Sequence, residues 1–583
     1  MTGADRPGEL ALVLHTHLPW LKNHGVWPVG EEWLFQAWGE SWLPVTDLLL
    51  RLANEGHSNL LTLGVTPMVA AQVADPRLAD DLGRWLAIQL WRSEEQRTGR
   101  QDRTPEVMAL GPWHWRRYQR LLDLHERMQA SGGLLAAWAD LASRGVIELL
   151  GGPLSHPYLP LQTDPALIEA QLNAGLAHHA SWAPSPTGLW APEMAYRPRG
   201  PVADATADPH EVDDHGTPTL PTTGQDLPGL EEFYAAHGIT HFLVDAATLV
   251  RAVEQRPPGQ SRASIDGKQR DWTRRPAVPD PAAGDPYEVV HDGVLVGDSD
   301  VVAFARDLSV AYHVWSPDRG YPGDPWYRDF FSRGSFAIHP SWRVTDKSLP
   351  ADRKAIYEPD RAAERVTEHA SHLHGVLHDV LDPRPGDLVV AAYDTELFGH
   401  WWFEGVAWLE VLLRRIGGDD ALVTTTLANR LERRPPTRRL DLPESSWGFA
   451  KGHASWVSDE TRPMWEGIRH AEERARRAVA IADQPTATEI ARQLVLLSSS
   501  DWPFLVTRGN SPGYGYDRFN EHAQRLHDLC DAVDGSGVGT AEDPVAASRS
   551  VDGSPLDVGP IVAALATGSV PAAAGQDSGA PAS

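Results

Sequence analysis

The run Leu10-Ala11-Leu12-Val13-Leu14 is uninterrupted apolar sequence that stops at His15-Thr16-His17. The same figure recurs over the first 400 positions. Leu60–Val65 stops at Thr66, Val146–Leu150 at Gly151, Thr187–Trp190 at Pro192-Glu193, and Ile239–Val244 at Asp245; Val301–Ala305 follows a loop, and Asp387–Ala392 stops at Tyr393-Asp394. Short runs without polar alternation are what strands buried on both faces require. Between them lie amphipathic stretches with helical spacing, such as Pro165–His179 and Ala362–Val380; on the second, Val366, Leu373 and Leu377 form the buried stripe, and His369, His372, His374 and His378 are expected to be solvated. Strand alternating with helix predicts a parallel sheet. Seven such units, each delivering polar residues at its C-terminal end, predict a (β/α)7 barrel, one unit short of eight, with its chemistry at that mouth.

Working outward, Pro76–Arg144 is helical in pattern and carries Trp85, Trp91, Trp113 and Trp115, which predicts an inserted helical subdomain over 76–144 within a barrel spanning 1–402. Arg199–Pro228 and Arg251–Pro286 are rich in Pro and polar residues and are expected to be long mobile loops. After Trp402 the strand pattern fades and Gly405–Ile416, Thr461–Ala482 and Thr486–Ser499 read as helices, hence a C-terminal helical domain over 403–533. Residues 534–583 contain no aromatic side chain and are dominated by Gly, Ala, Ser, Pro and Asp, which predicts a disordered tail.

Composition removes several function classes. A net charge of −27 on 583 residues opposes sequence-independent nucleic-acid binding, which uses basic surfaces. One cysteine, Cys530, leaves no intrachain disulfide. Residues 1–9 are polar, and no apolar run reaches the ~18 residues of a membrane span, so the expectation is a cytoplasmic protein with no membrane partner. Tryptophan is in excess, 23 against 12 Tyr and 12 Phe, and flat indole faces suit the axial C–H bonds of sugar rings.

Four clusters begin at the ends of predicted strands: His15-Thr16-His17-Leu18-Pro19, Gly152-Pro153-Leu154-Ser155-His156, Trp190-Ala191-Pro192-Glu193-Met194-Ala195-Tyr196, and Tyr393-Asp394-Thr395-Glu396 running on to Trp402. Two carboxylates among aromatic residues on one rim are costly unless they work together. Such a pair is what glycosidic bond cleavage uses. Strand alternation puts Glu396 on the same face as Asp394 and does not choose between them. The histidines with Asp394 also admit a divalent-metal hydrolase, and the tryptophans alone a silent carbohydrate-binding protein.

These clusters, in this order, resemble the motifs of glycoside hydrolase family 57. The resemblance extends through Gly25-Val26-Trp27-Pro28, Val314-Trp315 to Gly323, Glu444-Ser445-Ser446-Trp447-Gly448 and Ser500-Asp501-Trp502-Pro503-Phe504, covering about Ala11 to Asp531. It is closest to the family's 1,4-α-glucan branching enzymes, with an α-amylase-type hydrolase as the alternative. It implies a (β/α)7 barrel, retaining chemistry on an α-glucan polymer, and no cofactor or metal. It places the nucleophile on Glu193 and the acid/base on Asp394. His15, His17 and His156 would contact the sugar, Trp315, Trp447 and Trp456 would be aromatic platforms, and Trp27 and Asp501 would lie near the same groove. Relatives carry a tyrosine on a loop over the groove; here Trp272 or Tyr287 is the candidate.

Overall fold

The computed structural model describes residues 6–568 apart from 28, 101, 208–210, 213–217, 254–291, 316–319, 331–337, 351–352, 382–385, 510 and 536–542. Seven parallel strands, β1 (Gly8–Thr16), β2 (Leu61–Val65), β3 (Ile147–Gly151), β4 (Gly188–Leu189), β5 (His241–Val244), β6 (Val302–Ala305) and β7 (Leu388–Asp394), curl into an incomplete barrel in the order β7-β1-β2-β3-β4-β5-β6. Each coincides with one of the seven apolar runs. The two edges approach where the Asp307 N–H, just past β6, donates to the Val390 carbonyl on β7 at 2.7 Å.

The runs are uniformly apolar because both faces are covered. Leu10, Leu12 and Leu14 of β1 pack outward against helices such as Leu43–Asn54 and Pro359–Leu381, whereas Ala11 and Val13 turn inward to join Leu150, Leu243, Phe304, Val390 and Ala392. Period-two alternation then aims His15 and Asp394 into the barrel mouth. The register sets them side by side, His15 opposite Asp394 and, across the next ladder, opposite Gly64. Close approach is demanded at Gly188, where a Cβ would lie 2.2 Å from His241 Nε2.

Three helices, Pro76–Thr98, Pro105–Ala130 and Gly133–Ser143, lie between β2 and β3. The first begins with proline after Asp75, whose carboxylate accepts from the N–H groups of Arg77 and Leu78. Further helices, Arg462–Val479, Gln484–Leu497, Asp501–Arg508 and Pro512–Asp534, form a second core with Leu497, Trp502 and Leu526. Among the described residues, no helix is long and apolar enough to cross a membrane.

Four expectations change. The strand pattern does not end at Trp402, because Leu422–Thr424 pairs with β1 and Arg439–Leu440 with the short strand Val294–Val296; segments this short show no periodicity. The predicted loop 199–228 contains an antiparallel pair, Gly200–Ala203 with Thr222–Leu227. The predicted disordered tail carries the helices Pro544–Asp552 and Gly559–Thr567. The second buries Ile561, Ala564 and Leu565 in the helical core, and the first places Asp552 2.6 Å from His24 and 3.0 Å from Arg525. Aliphatic side chains, Leu556, Val558, Ile561 and Leu565, fill that interface, so low aromatic content does not mean disorder here. The histidines of Pro359–Leu381, expected to be solvated, include His372 at 2.7 Å from the Tyr321 hydroxyl and His369 at 2.9 Å from that of Tyr327.

Candidate active site

At the barrel mouth β4 gives way to a tight turn, Pro192–Met194, in which Glu193 has φ +62° and Met194 φ +46°. Left-handed backbone at two consecutive non-glycine residues is strained and persists only where surroundings hold it. Here they do. The Trp447 N–H bonds the Glu193 carbonyl at 3.1 Å, Trp447 Nε1 donates to Glu193 Oε2 at 2.8 Å, and Ser500 Oγ donates to Oε1 at 2.9 Å. Both carboxylate oxygens are thereby oriented by residues more than 250 positions away.

Ser500 is itself one link in a chain. His156 Nδ1 lies 3.0 Å from Ser500 Oγ, and His156 Nε2 lies 3.3 Å from His15 Nε2. If Ser500 donates to Glu193, His156 donates from Nδ1 and accepts at Nε2, so His15 carries its proton on Nε2. Burial, followed by neighbouring histidine charge, pushes both His15 and His156 well below the usual imidazole range, consistent with neutral rings. His15 also stacks on Trp190, ring centroids 4.1 Å apart.

His17 has the opposite character. Burial works against its charge, yet Asp501, 3.0 Å from Nε2, together with the charges of Glu193 and Asp394, holds its pKa above the usual value. Three acidic side chains thus favour its charged form, and Thr66 Oγ1 lies 3.1 Å from its Nδ1.

Asp394 ends β7. Burial, then the negative charge of Glu193, raises its pKa to about 7, opposed by His17 and Arg306. Burial, then Asp501, raises Glu193 to about 7, opposed by the Trp447 and Ser500 hydrogen bonds and by His17. Asp394 therefore feels the charge of Glu193 in a buried site, where ionisation of one carboxyl opposes that of the other. Glu396 takes a different direction. The strand stops at Asp394, and the following turn, Thr395–Leu397, swings Glu396 to the indole of Trp42 at 3.1 Å, so alternation does not extend to it.

Around the carboxyls stand aromatic side chains. Trp447 meets Trp190 edge-on at 5.5 Å and faces Trp315 at 6.1 Å, with the Arg306 guanidinium 5.4 Å above its ring. Trp315 is 36% exposed and forms the outer step. Trp27 is 51% exposed on the loop after β1, which is tied down by Asn23 to the Val551 carbonyl at 2.9 Å and by His24 to Asp552. Trp456 is a correction. It is fully buried, stacks on Tyr158 at 4.5 Å and sits beneath Gly448, where a Cβ would meet it at 2.5 Å. It supports the Trp447 loop from behind and offers no face to a ligand. Trp456→Ala should cost about 3–5 kcal/mol, measured as a lowered denaturant midpoint. Trp272 and Tyr287 lie outside the described residues.

Three participants escaped the sequence reading. Ser500 stood inside a quoted motif beside Asp501. Arg306 follows β6 directly and would have been found by applying the strand-end rule there; Asp245, at the end of β5, holds Arg306 at 2.8 Å and Lys451 at 3.1 Å. Burial would raise the Asp245 pKa, but these two cations hold it down at about 2. Arg306 is thus a fixed charge beside Asp394.

Comparison with known proteins gives a consistent answer. A family model described as glycosyl hydrolase family 57 matches residues 11–443, and one described as 1,4-alpha-glucan branching enzyme, C-terminal, matches 464–546. A probable 1,4-alpha-glucan branching enzyme of Mycobacterium tuberculosis is 36% identical over 559 residues, 90% of this chain and 92% of the relative. A 1,4-alpha-glucan branching enzyme of Thermococcus kodakarensis is 31% identical over 549 residues, 90% of this chain and 74% of the relative. The crystal structure of a family 57-type branching enzyme from Pyrococcus horikoshii superposes with a TM-score of 0.81 at 29% identity, covering 97% of this chain and 98% of that one.

Proposed function

We propose that this chain, which belongs to glycosyl hydrolase family 57, is a retaining 1,4-alpha-glucan branching enzyme in which Glu193 is the nucleophile and Asp394 the acid/base. The observation that carries the residue roles is the division of labour between two coupled carboxyls. Glu193 has both oxygens held by Trp447 and Ser500, as an attacking group needs. Asp394 is buried beside it with a raised pKa, as a proton donor needs.

In the first step Glu193 attacks the anomeric carbon of an α-1,4-linked glucosyl unit while Asp394 gives its proton to the departing O4. A β-glycosyl ester and a shortened chain result. Esterification removes the charge of Glu193, so Asp394, now ionised, loses the neighbour that raised its pKa. In the second step Asp394 takes the proton of a glucan 6-hydroxyl as that oxygen attacks the anomeric carbon. The ester bond breaks, Glu193 is restored, and an α-1,6 branch is formed with the original anomeric configuration. His17, whose charged form is favoured by the surrounding carboxyls, would balance charge across both steps. Water in place of the 6-hydroxyl gives hydrolysis, and the outcome depends on acceptor binding and water exclusion.

The substrate is an α-glucan polymer, amylose or glycogen-like, and the buried single cysteine fits the expected cytoplasmic setting. Incubation with unbranched amylose tests the function. New α-1,6 linkages without a matching rise in reducing ends are expected; reducing ends without α-1,6 linkages would favour the hydrolase. Trp315 supplies an exposed ring facing Trp447, which holds Glu193. Trp315→Ala should weaken glucan binding by about 1–2 kcal/mol, seen as a raised KM with an unchanged unfolding midpoint. A lowered midpoint with unchanged KM would make Trp315 a packing residue.

A further inference from the structure

We propose that His374, His378 and Asp419 form a binding site for a divalent transition-metal ion, Zn²⁺ in the first instance, remote from the catalytic carboxyls. His374 and His378 are one turn apart on the helix Pro359–Leu381, beside its buried stripe of Ala370, Leu373, Leu377 and Leu381. Residues four apart on a helix share a face. Asp419 sits in the turn after the helix Gly405–Gly417. His374 Nε2 lies 2.8 Å and His378 Nε2 2.7 Å from the same atom, Asp419 Oδ2, and the three atoms lie within 4.8 Å of one another.

Asp419 is positioned for that role. Its other oxygen accepts the Ala421 N–H at 2.8 Å, which leaves Oδ2 to the imidazoles. One carboxylate oxygen serves two rings poorly. His374 Nε2 is buried and, beyond the 2.8 Å approach of Asp419 Oδ2, finds no hydrogen-bond partner among the described residues. Two imidazoles and a carboxylate are a common donor set for Zn²⁺, whose tetrahedral ligands, bonded at ~2.0–2.1 Å, stand ~3.3 Å apart. Small side-chain adjustments reach that spacing. Each neutral ring would carry its proton on Nδ1 and give the Nε2 lone pair to the metal, with water as fourth ligand.

Two other trios of this kind occur among the described residues and fit less well. In the catalytic set His17, His156 and Asp501, all four ring nitrogens are engaged by Thr66, Asp501, Ser500 and His15. In His24, His522 and Asp552, the Arg518 and Arg525 guanidiniums bond His522 and Asp552 directly, and their charge repels a cation. At Asp419 the ion would instead join the helix that precedes β7 to the turn closing the helix that follows it. The strand so bracketed carries Asp394, so the expected effect is on the stability of that segment and not on the chemistry.

The test uses the full, untagged chain after dialysis against chelator, titrated with ZnCl2 by calorimetry and followed by thermal unfolding. One equivalent of zinc should bind and raise the unfolding midpoint by about 2 °C or more. The His374→Gln/His378→Gln double variant should fold and branch amylose like the parent without zinc, yet lose that equivalent and the midpoint shift. Asp419→Asn should weaken binding at least tenfold and serves if the double variant misfolds. No binding up to ~100 µM zinc, a dissociation constant corresponding to about −5.5 kcal/mol, would overturn the proposal. So would titrations identical in parent and variant, or an equivalent lost only in His156→Gln, which would place the metal at the catalytic histidines.

Discussion

Glu193→Gln should abolish branching, lowering turnover by at least about 10⁴-fold, while glucan binding and folding persist. The substitution is clean because the local network accepts it. The Gln carbonyl oxygen can take the Trp447 Nε1–H, and its amide can donate to Ser500 Oγ, which in turn still meets His156. What is lost is the anionic oxygen that attacks the anomeric carbon. Stability should not fall at alkaline pH. Burial raises the folded-state pKa of Glu193 to about 7, so its ionisation opposes folding from the unfolded carboxyl range upward, and the penalty is complete above about 7. The variant escapes it, and its advantage in unfolding midpoint should grow between about pH 4.5 and 7. Equal loss of binding and turnover, or a midpoint well below the parent's at pH 8, would make Glu193 a structural residue.

Asp394→Asn should also stop turnover of natural glucans, by about 10²–10⁴-fold, but in a distinguishable way. A donor whose leaving group departs without a proton can still esterify Glu193, so the glycosyl-enzyme should accumulate and be visible by intact mass. An anionic nucleophile such as azide needs no general base and should release it with the α-configuration. The pH profile separates the roles further. In the parent, activity on glucan requires a protonated Asp394 and should fall as pH rises through about 7. With the activated donor the variant should lack that alkaline limb. Undiminished turnover of amylose by Asp394→Asn would refute the acid/base assignment.

The legibility of this molecule was uneven for definite reasons. The seven strands could be read because burial on both faces leaves continuous apolar runs, a signal that does not depend on distant partners. The proposed catalytic carboxyls could be read as candidates because each ends such a run. The choice of Asp394 over Glu396 could not, since it depends on where the strand stops pleating and the Thr395–Leu397 turn begins. Trp456 and Trp447 show the same limit. Nine positions apart, in similar Gly- and Ser-rich sequence, one is sealed against Tyr158 and the other holds Glu193. The tail departs from its reading because a few aliphatic side chains, Leu556, Val558, Ile561 and Leu565, close the interface without the aromatic residues by which order is usually recognised.

By itself the sequence determined the parallel barrel, the strand ends that carry polar residues, and the acids that are candidates there, Glu193 with Asp394 or Glu396. These follow from periodicity and residue type, which are local. Only the tertiary structure decided that Ser500 and Trp447 grip Glu193, that His17 is pushed toward its charged form while His15 and His156 are pushed toward their neutral forms, and that Arg306 stands beside Asp394. Those properties arise from desolvation and from charges brought within a few ångströms by residues hundreds of positions apart, and no local pattern encodes that proximity.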